Sequence, residues 1–154
     1  MKTGQKAPDF KLSDRDGRFH SLSDYSGNWV LLYFYPKDDT PGCVKEACGI
    51  RDNFPAFKKM KAVVLGVSAD SRVSHGKFSD KYGLPFVLLS DEKKSTLKKY
   101  GVWSEKKFMG RKYMGILRTS FLIDPAGKIA KIYENVRPEI HAGEVLKDIG
   151  DLNK

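Results

Sequence analysis

The sequence predicts one α/β domain built on a central mixed β-sheet flanked by helices, and three observations support this fold class. Apolar runs typical of buried strands alternate with segments of helical pattern, as in layered α/β domains. Towards the C-terminus, the turn sequence DPAG at 124–127 separates two strands, and this hairpin makes the sheet mixed. The chain has 154 residues, 40% of them hydrophobic, which is enough for one sizeable core and too short for two. We therefore expect a single domain over residues 1–154.

The strands are predicted from apolar runs and from turn signals. Residues 9–22 have the pattern of a small N-terminal β-hairpin, because an Asp-Gly turn lies in their middle. Near-continuous apolar runs at 28–36, 62–70 and 85–91 are typical of buried central strands. Residues 118–135 are expected to supply the last two strands.

Besides the helix that begins near residue 40, three further helices are predicted between and after these strands. Residues 71–83 form the first, which Gly83 is expected to end because glycine readily takes the left-handed conformation of a helix C-terminus. A short helix is expected at 93–101. Residues 139–152 carry apolar side chains at helical spacing and are expected to form the closing helix.

The composition excludes some classes of function. Lys and Arg number 28 against 19 Asp and Glu, but the basic clusters at 57–61, 93–99 and 106–112 are dispersed and match no nucleic-acid motif. We therefore interpret the positive charge as a solvated surface and expect no specific nucleic-acid binding. The first ten residues lack the apolar core of a signal peptide, and no window approaches the roughly 20 apolar residues of a membrane span. A soluble cytoplasmic protein without a membrane association is expected.

The two cysteines, Cys43 and Cys48, lie in one short segment. Cytosolic thiols are normally kept reduced outside hyperthermophiles, so a transient catalytic disulfide or a buried pair is more plausible than a permanent crosslink. The spacing is neither the CxxC of a thiol-disulfide oxidoreductase nor that of a metal site, since His20, His75 and His141 are isolated in the sequence. We expect neither a metal nor a cofactor.

The segment TPGC at 40–43 has the pattern of a helix start. Thr40 lies where an N-cap is expected and Pro41 at the first helical position, so Cys43 is the third, with its amide within reach of the Thr40 hydroxyl. Unpaired N–H groups and the positive end of the helix dipole favour a thiolate there, and Gly42 leaves space beside the sulfur. The alternative is that Cys43 is a small core residue, because free cysteines are often buried.

Cys48 follows Cys43 by five positions, which has a geometric consequence. Five residues of α-helix separate two Cα atoms by about 8.6 Å. A disulfide tolerates no more than about 7 Å, so the two cysteines can bond only if the helix unwinds locally. The alternative is that Cys48 is a packing residue on the inner face of the helix.

The sequence resembles a known family at this segment. PKDDTPGC (36–43) matches the Pro-x-x-x-Thr-x-x-Cys signature of the peroxiredoxins, and YPKDDTPGCVKEACG (35–49) is similar to their bacterioferritin comigratory protein, or peroxiredoxin Q, subfamily. The resemblance continues through GQKAPDF, GVSAD, FVLLSD, RTSFLID and PEIHAGEVL and so covers essentially the whole chain. It implies a thioredoxin-like fold and a thiol-dependent peroxidase that reduces hydrogen peroxide and organic hydroperoxides, with thioredoxin or a similar dithiol protein as reductant.

The resemblance also implies roles for individual residues. Cys43 corresponds to the cysteine that attacks the peroxide and becomes a sulfenic acid, and Cys48 to the resolving cysteine that forms an intrachain disulfide. Thr40 would hydrogen-bond the peroxide. Arg118 corresponds to the arginine that the family carries in the second half of its chain. A guanidinium there would stabilise the thiolate and the leaving oxygen. The alternative for this arginine is a surface position at a strand end.

The remaining candidates are Pro36, Pro41, Gly42 and Trp103, which are expected to line the substrate pocket. The two prolines would shield the sulfur from solvent, whereas Trp103 is equally compatible with a packing role. His141 is expected to begin the last helix as a surface or capping residue.

Two other classes of function stay open at this point. One is a thiol-disulfide exchange or redox-sensing protein on the same fold, and the other is a non-catalytic basic binding module. A simple dithiol carrier does not need Thr40 or Arg118, so their presence favours the peroxidase. We expect a monomer, because the resolving thiol lies in the same chain.

Overall fold

The computed structural model describes residues 1–153. Seven strands form one mixed sheet in the order β2-β1-β5-β4-β3-β8-β9, and β6 pairs with β7 in a separate two-stranded hairpin. The strands are β1 (Lys11–Ser13), β2 (Phe19–Ser21), β3 (Trp29–Phe34), β4 (Ala62–Ser68), β5 (Val87–Ser90), β6 (Trp103–Phe108), β7 (Arg111–Ile116), β8 (Thr119–Ile123) and β9 (Ile129–Tyr133). The helices are α1 (Pro41–Asp52), α2 (Phe54–Lys59), α3 (Arg72–Tyr82), α4 (Ser95–Lys99) and α5 (His141–Leu152), with a short 3-10 helix at Leu22–Tyr25.

Strand β3 lies at the centre of the sheet, and all six of its residues are buried. It pairs in parallel with β4 and antiparallel with β8, so both of its edges are hydrogen-bonded. A strand covered on both faces needs apolar side chains at every position, which explains the continuous apolar run in the sequence.

The core consists of two clusters, one on each face of the sheet. Successive side chains of a strand point to opposite faces, and along β3 Val30 and Leu32 belong to one cluster, whereas Leu31 and Tyr33 belong to the other. The cluster around Leu31 is covered by α1, α2, α3 and α5 and contains Cys43. The cluster around Leu32 is covered by α4 and the N-terminal segment.

The structure confirms the mixed sheet, the flanking helices and the N-terminal hairpin. Gly83 ends α3 with φ of 59° and ψ of 46°, the left-handed conformation expected of it. Among residues 1–153, no helix has both the length and the apolar character needed to cross a bilayer.

The sequence analysis missed the β6–β7 hairpin and helix α2. Seven of the twelve strand residues of the hairpin are exposed, and charged residues are mixed with aromatic and apolar ones without the alternation that predicts a half-buried strand. The turn signal is also weak, because Met109 takes a positive φ of 51° beside Gly110 at 79°, where Asn or Asp is the usual residue.

Candidate active site

The start of helix α1 has the predicted register, with one difference. Thr40 is the N-cap, with an extended backbone at φ of −100° and ψ of 154°, and Pro41 is the first helical residue. The expected cap bond is absent, because the Thr40 hydroxyl donates instead to the carbonyl of Lys37 at 2.8 Å. The prediction that this hydroxyl caps the Cys43 amide is therefore wrong, although the N-cap position itself is correct.

The Cys43 side chain is buried, with 1% of its surface exposed, and it has a cationic partner. Arg118 Nη2 donates to Cys43 Sγ at 3.2 Å. The pairing of β8 with β3 explains this contact: Thr119 lies opposite Phe34, so Arg118 is held beside the point where the chain leaves β3 towards α1. Burial alone lowers the pKa of Arg118, but Cys43 and Glu46 outweigh it and raise this pKa above its usual value.

Glu46 is a site residue that the sequence analysis missed. Its Oε1 accepts a hydrogen bond from Arg118 Nη1 at 2.7 Å, and only 1% of the residue is exposed. Burial raises the pKa of Glu46 to about 7, and the attraction of Arg118 opposes this rise. Glu46 follows Cys43 by three positions, so both lie on one face of α1. An acid among the buried residues Cys43, Ala47 and Ile50 of the inner face of α1 was the signal that could have identified it.

Two buried polar atoms near this group have no hydrogen-bond partner within residues 1–153: Tyr33 Oη and Glu46 Oε2. Burial raises the pKa of Tyr33 well above its usual value, and negative charge on Glu46 and then on Cys43 raises it further. Tyr33 is therefore a neutral phenol. Unpaired buried polar atoms are costly, so a ligand that enters this region gains by bonding to them.

Gly42 permits the close approach of Arg118 to helix α1. A Cβ atom at this position would lie 3.0 Å from Arg118 Nη2 and 3.6 Å from its Cζ. Gly42 and Pro36 are half-buried, whereas Pro41 is exposed at the helix start.

Cys48 lies on the same unbroken helix as Cys43 and is half-buried. Both cysteines are free thiols. Since α1 runs without interruption from Pro41 to Asp52, the geometric argument for local unwinding applies to this helix.

Trp103 lies at the base of the β6–β7 hairpin, opposite Ile116. Trp103 packs against the cluster around Leu32, on the opposite face of the sheet from Cys43. Lys94 Nζ lies 5.5 Å from the centroid of the Trp103 indole ring. The contact with the cluster around Leu32 agrees with the packing role considered for Trp103, and its place in the substrate pocket stays a prediction.

The three histidines stand apart from one another in the sequence, but tertiary contacts supply each of them with partners. His75 Nδ1 lies 2.7 Å from Asp38 Oδ2, and His75 Nε2 lies 3.0 Å from the carbonyl oxygen of Leu89. Asp38, Asp70 and His75 bring potential metal-ligand atoms within 4.8 Å of one another, but both ring nitrogens of His75 already face oxygen atoms. This group ties the loop before Thr40 to helix α3.

His141 begins α5 as predicted, but it is 1% exposed, so the expected surface position is wrong. Its Nε2 lies 2.8 Å from Ser120 Oγ, and burial lowers its pKa. His20 lies between two partners, with its Nε2 2.7 Å from Asp14 Oδ2 and its Nδ1 2.6 Å from Tyr25 Oη.

Comparison with known proteins identifies the class to which this arrangement belongs. The profile of the AhpC/TSA family matches residues 3–132. The chain is 45% identical to Peroxiredoxin Bcp of Bacillus subtilis over 154 residues, covering 100% of this chain and 98% of the relative. It is 47% identical to Peroxiredoxin Bcp of Escherichia coli K12 over 146 residues, which cover 95% of this chain and 94% of the relative.

Solved structures agree. The bacterioferritin comigratory protein of Xanthomonas campestris superposes with a TM-score of 0.92 at 35% identity, covering 99% of this chain and 100% of that one. The BcpB peroxidoxin of Mycobacterium tuberculosis superposes with a TM-score of 0.88 at 32% identity, covering 100% of this chain and 99% of that one.

The chain therefore belongs to the AhpC/TSA family, with a thioredoxin-like fold. Within this family it is a peroxiredoxin of the bacterioferritin comigratory protein and peroxiredoxin Q group, and thus a thiol-dependent peroxidase.

Proposed function

We propose that Cys43 is the peroxide-reducing residue and that the substrates are hydrogen peroxide and organic hydroperoxides. The hydrogen bond of 3.2 Å from Arg118 Nη2 to Cys43 Sγ carries this proposal. A fixed guanidinium stabilises both a thiolate and the negative charge that develops on the leaving oxygen. The alkyl peroxide reduction activity of the Xanthomonas campestris relative supports organic hydroperoxides as substrates.

In the first step, the Cys43 thiolate attacks the terminal oxygen of the hydroperoxide. The S–O bond forms as the O–O bond breaks, and the electron pair of the O–O bond leaves on the second oxygen. That oxygen takes up a proton and departs as an alcohol, or as water from hydrogen peroxide. The sulfur is oxidised by two electrons to a sulfenic acid. Thr40 donates its hydroxyl to Lys37 in the resting protein and would turn to the peroxide when it binds. Pro36 and Pro41 would limit the access of water.

In the second step, the Cys48 thiolate attacks the sulfenic sulfur of Cys43. The S–S bond forms as the S–O bond breaks, and the departing hydroxide is protonated to water. Helix α1 has to unwind for this step, since its continuous geometry keeps the two cysteines beyond disulfide reach.

Thioredoxin or a similar dithiol protein then reduces the disulfide and completes the cycle. We further propose that the protein acts in the cytoplasm as a monomer. The presence of both cysteines on one helix supports the monomer, because resolution needs no second subunit.

Cys43→Ser tests the assignment. The variant should lose at least about three orders of magnitude in the rate of peroxide consumption with a dithiol reductant, because an alcohol is neither ionised near neutral pH nor strongly nucleophilic. Cys48→Ser is the matched control and should still consume one equivalent of peroxide. Substantial turnover by Cys43→Ser would move the reactive thiol to Cys48. A wild-type protein that is oxidised once but does not turn over would support the redox-sensor alternative.

A further inference from the structure

The β6–β7 hairpin is separate from the main sheet. Its two strands pair with each other in register, from Trp103 opposite Ile116 to Phe108 opposite Arg111, and neither strand joins the seven-stranded sheet. Met109 and Gly110 form the two-residue turn, both with positive φ. Only the base of this ribbon reaches the core, where Ile116 is buried in the cluster around Leu32.

The end of this ribbon, residues 107–114, is here called the hairpin tip. It exposes four large apolar side chains: Phe108 at 65%, Met109 at 88%, Tyr113 at 49% and Met114 at 50%. The register places Phe108 and Tyr113 on one face of the ribbon and Met114 on the other, and Met109 lies in the turn next to Phe108. Single exposed apolar residues are normal on a protein surface, but a group such as Phe108, Met109 and Tyr113 marks an interaction site. Aromatic residues and methionine are also enriched where proteins contact each other.

The hairpin tip is also purely basic. It contains Lys107, Arg111 and Lys112 and no acidic residue. None of the three forms an ion pair within residues 1–153. The tip therefore presents apolar side chains among unneutralised positive charges, which favours a partner that is apolar at its centre and acidic at its rim.

The base of the hairpin adjoins the candidate active site. Strand β7 ends at Ile116, two residues before Arg118, and Lys106 Nζ donates to the Ile116 carbonyl at 2.7 Å. Burial and then the charge of Arg118 lower the pKa of Lys106, whereas the charge of Cys43 raises it. Since Arg118 donates to Cys43 Sγ, the chain connects the base of the hairpin directly to the candidate active site.

We propose that the hairpin tip is the docking surface for the protein that reduces the disulfide, and that this reductant has an apolar active-site rim carrying acidic residues. This inference rests on the proposed function, in which a dithiol protein must reach the cysteine pair once in every cycle. Phe108 and Tyr113 on one face, with Met109 beside them in the turn, form a small patch, and transient redox encounters are among the smallest specific protein contacts.

Docking places one thiolate of the reductant next to the oxidised cysteine pair. That thiolate attacks one disulfide sulfur, a mixed disulfide forms, and the other cysteine of the pair leaves as a thiolate and is protonated. The second thiol of the reductant, as its thiolate, then attacks the mixed disulfide and releases the first cysteine. Two electrons and two protons pass to the pair, and the reductant leaves with a disulfide.

A double variant, Phe108→Ser with Met109→Ser, tests this surface. With a purified bacterial thioredoxin as reductant, kcat/KM for the reductant should fall about tenfold, as for the loss of interface anchors. Turnover driven by dithiothreitol and the rate of oxidation by peroxide should stay unchanged, because neither needs a protein interface. Phe19→Ser is the matched control, since Phe19 is 62% exposed on edge strand β2. It should behave as wild type.

A charge variant, Arg111→Glu with Lys112→Glu, should lower kcat/KM for thioredoxin and weaken its dependence on ionic strength. Equal kcat/KM for the wild type and the apolar variant would overturn the docking surface. An equal loss of turnover with dithiothreitol would also overturn it. A change in oligomeric state would overturn it as well, because the occupant of the hairpin tip would then be a second copy of the chain. If the wild type is not oxidised by peroxide at all, the proposed function itself fails, which is a separate result.

Discussion

Buried Glu46 and half-buried Arg118 form an ion pair, with 2.7 Å between Glu46 Oε1 and Arg118 Nη1. Glu46 is 1% exposed, and the second nitrogen of the same guanidinium donates to Cys43. One carboxylate therefore orients the cation that faces the reactive sulfur. The pair also makes the protein sensitive to pH, because burial raises the pKa of Glu46 to about 7 from an ordinary value of 4.5.

Glu46→Gln should remove a pH-dependent part of the stability. The folded state holds a proton on Glu46 that the unfolded state releases between pH 4.5 and about 7. Glu46 therefore stabilises the fold fully below pH 4.5, and this stabilisation is lost as the pH rises through about 7. The free energy of unfolding, measured with denaturant from pH 5 to 8, should fall more steeply in the wild type than in Glu46→Gln. The exposed Glu92→Gln is the control and should follow the wild type. Parallel curves for the wild type and Glu46→Gln would mean that Glu46 titrates normally.

Arg118→Met should slow the oxidation of Cys43. The loss of one preorganised charge stabiliser typically costs about 2 to 4 kcal/mol of transition-state stabilisation, or roughly 30-fold to 1,000-fold in rate. Stopped-flow experiments with hydrogen peroxide at several pH values measure this oxidation rate. Arg118→Lys should recover only part of the rate, since a single ammonium cannot reproduce the two hydrogen bonds to Glu46 and Cys43. A rate and pH profile unchanged in Arg118→Met would show that the arginine is structural.

Gly42→Ala should separate stability from activity. Alanine favours a helix over glycine by up to about 1 kcal/mol, so the variant should be as stable as the wild type or more stable. Its Cβ, however, would lie 3.0 Å from Arg118 Nη2 and push the guanidinium from its position at Cys43. We expect oxidation to slow by about three- to tenfold, because small displacements of catalytic groups are costly. Gly49→Ala, on the same helix with its nearest contact at 3.8 Å, is the control and should keep the wild-type rate.

Oxidation should link Cys43 to Cys48 and unwind the helix between them. One equivalent of hydrogen peroxide should lower the mass of the reduced protein by about two hydrogens, and peptide mapping should find one Cys43–Cys48 bond. Amide exchange should accelerate across residues 42–50, because the intact helix holds the pair beyond disulfide reach. Cys48→Ser should instead stop at a sulfenic acid. An intermolecular disulfide, or unchanged protection of the segment, would make Cys48 a packing residue.

Local patterns in the sequence determined the elements and the start of the catalytic helix. Apolar runs predicted the buried strands, and Thr40-Pro41 predicted where α1 begins, because both signals depend on residues close together in the chain. The same locality explains the failures. The direction of the Thr40 hydroxyl depends on the preceding turn, and the largely exposed β6–β7 ribbon carries no apolar alternation.

The sequence by itself determined the fold class, the two cysteines on one helix and, through its resemblance to a family, the choice of Arg118. Only the tertiary structure decided that Arg118 contacts Cys43, from which it is separated by 75 positions. It also showed that Glu46 holds the same guanidinium and that Trp103 packs on the other face of the sheet. The physical reason is that these contacts depend on the register of β8 against β3 and on which face of the sheet each residue covers. Both are set by the packing of the whole core rather than by the spacing of neighbouring residues.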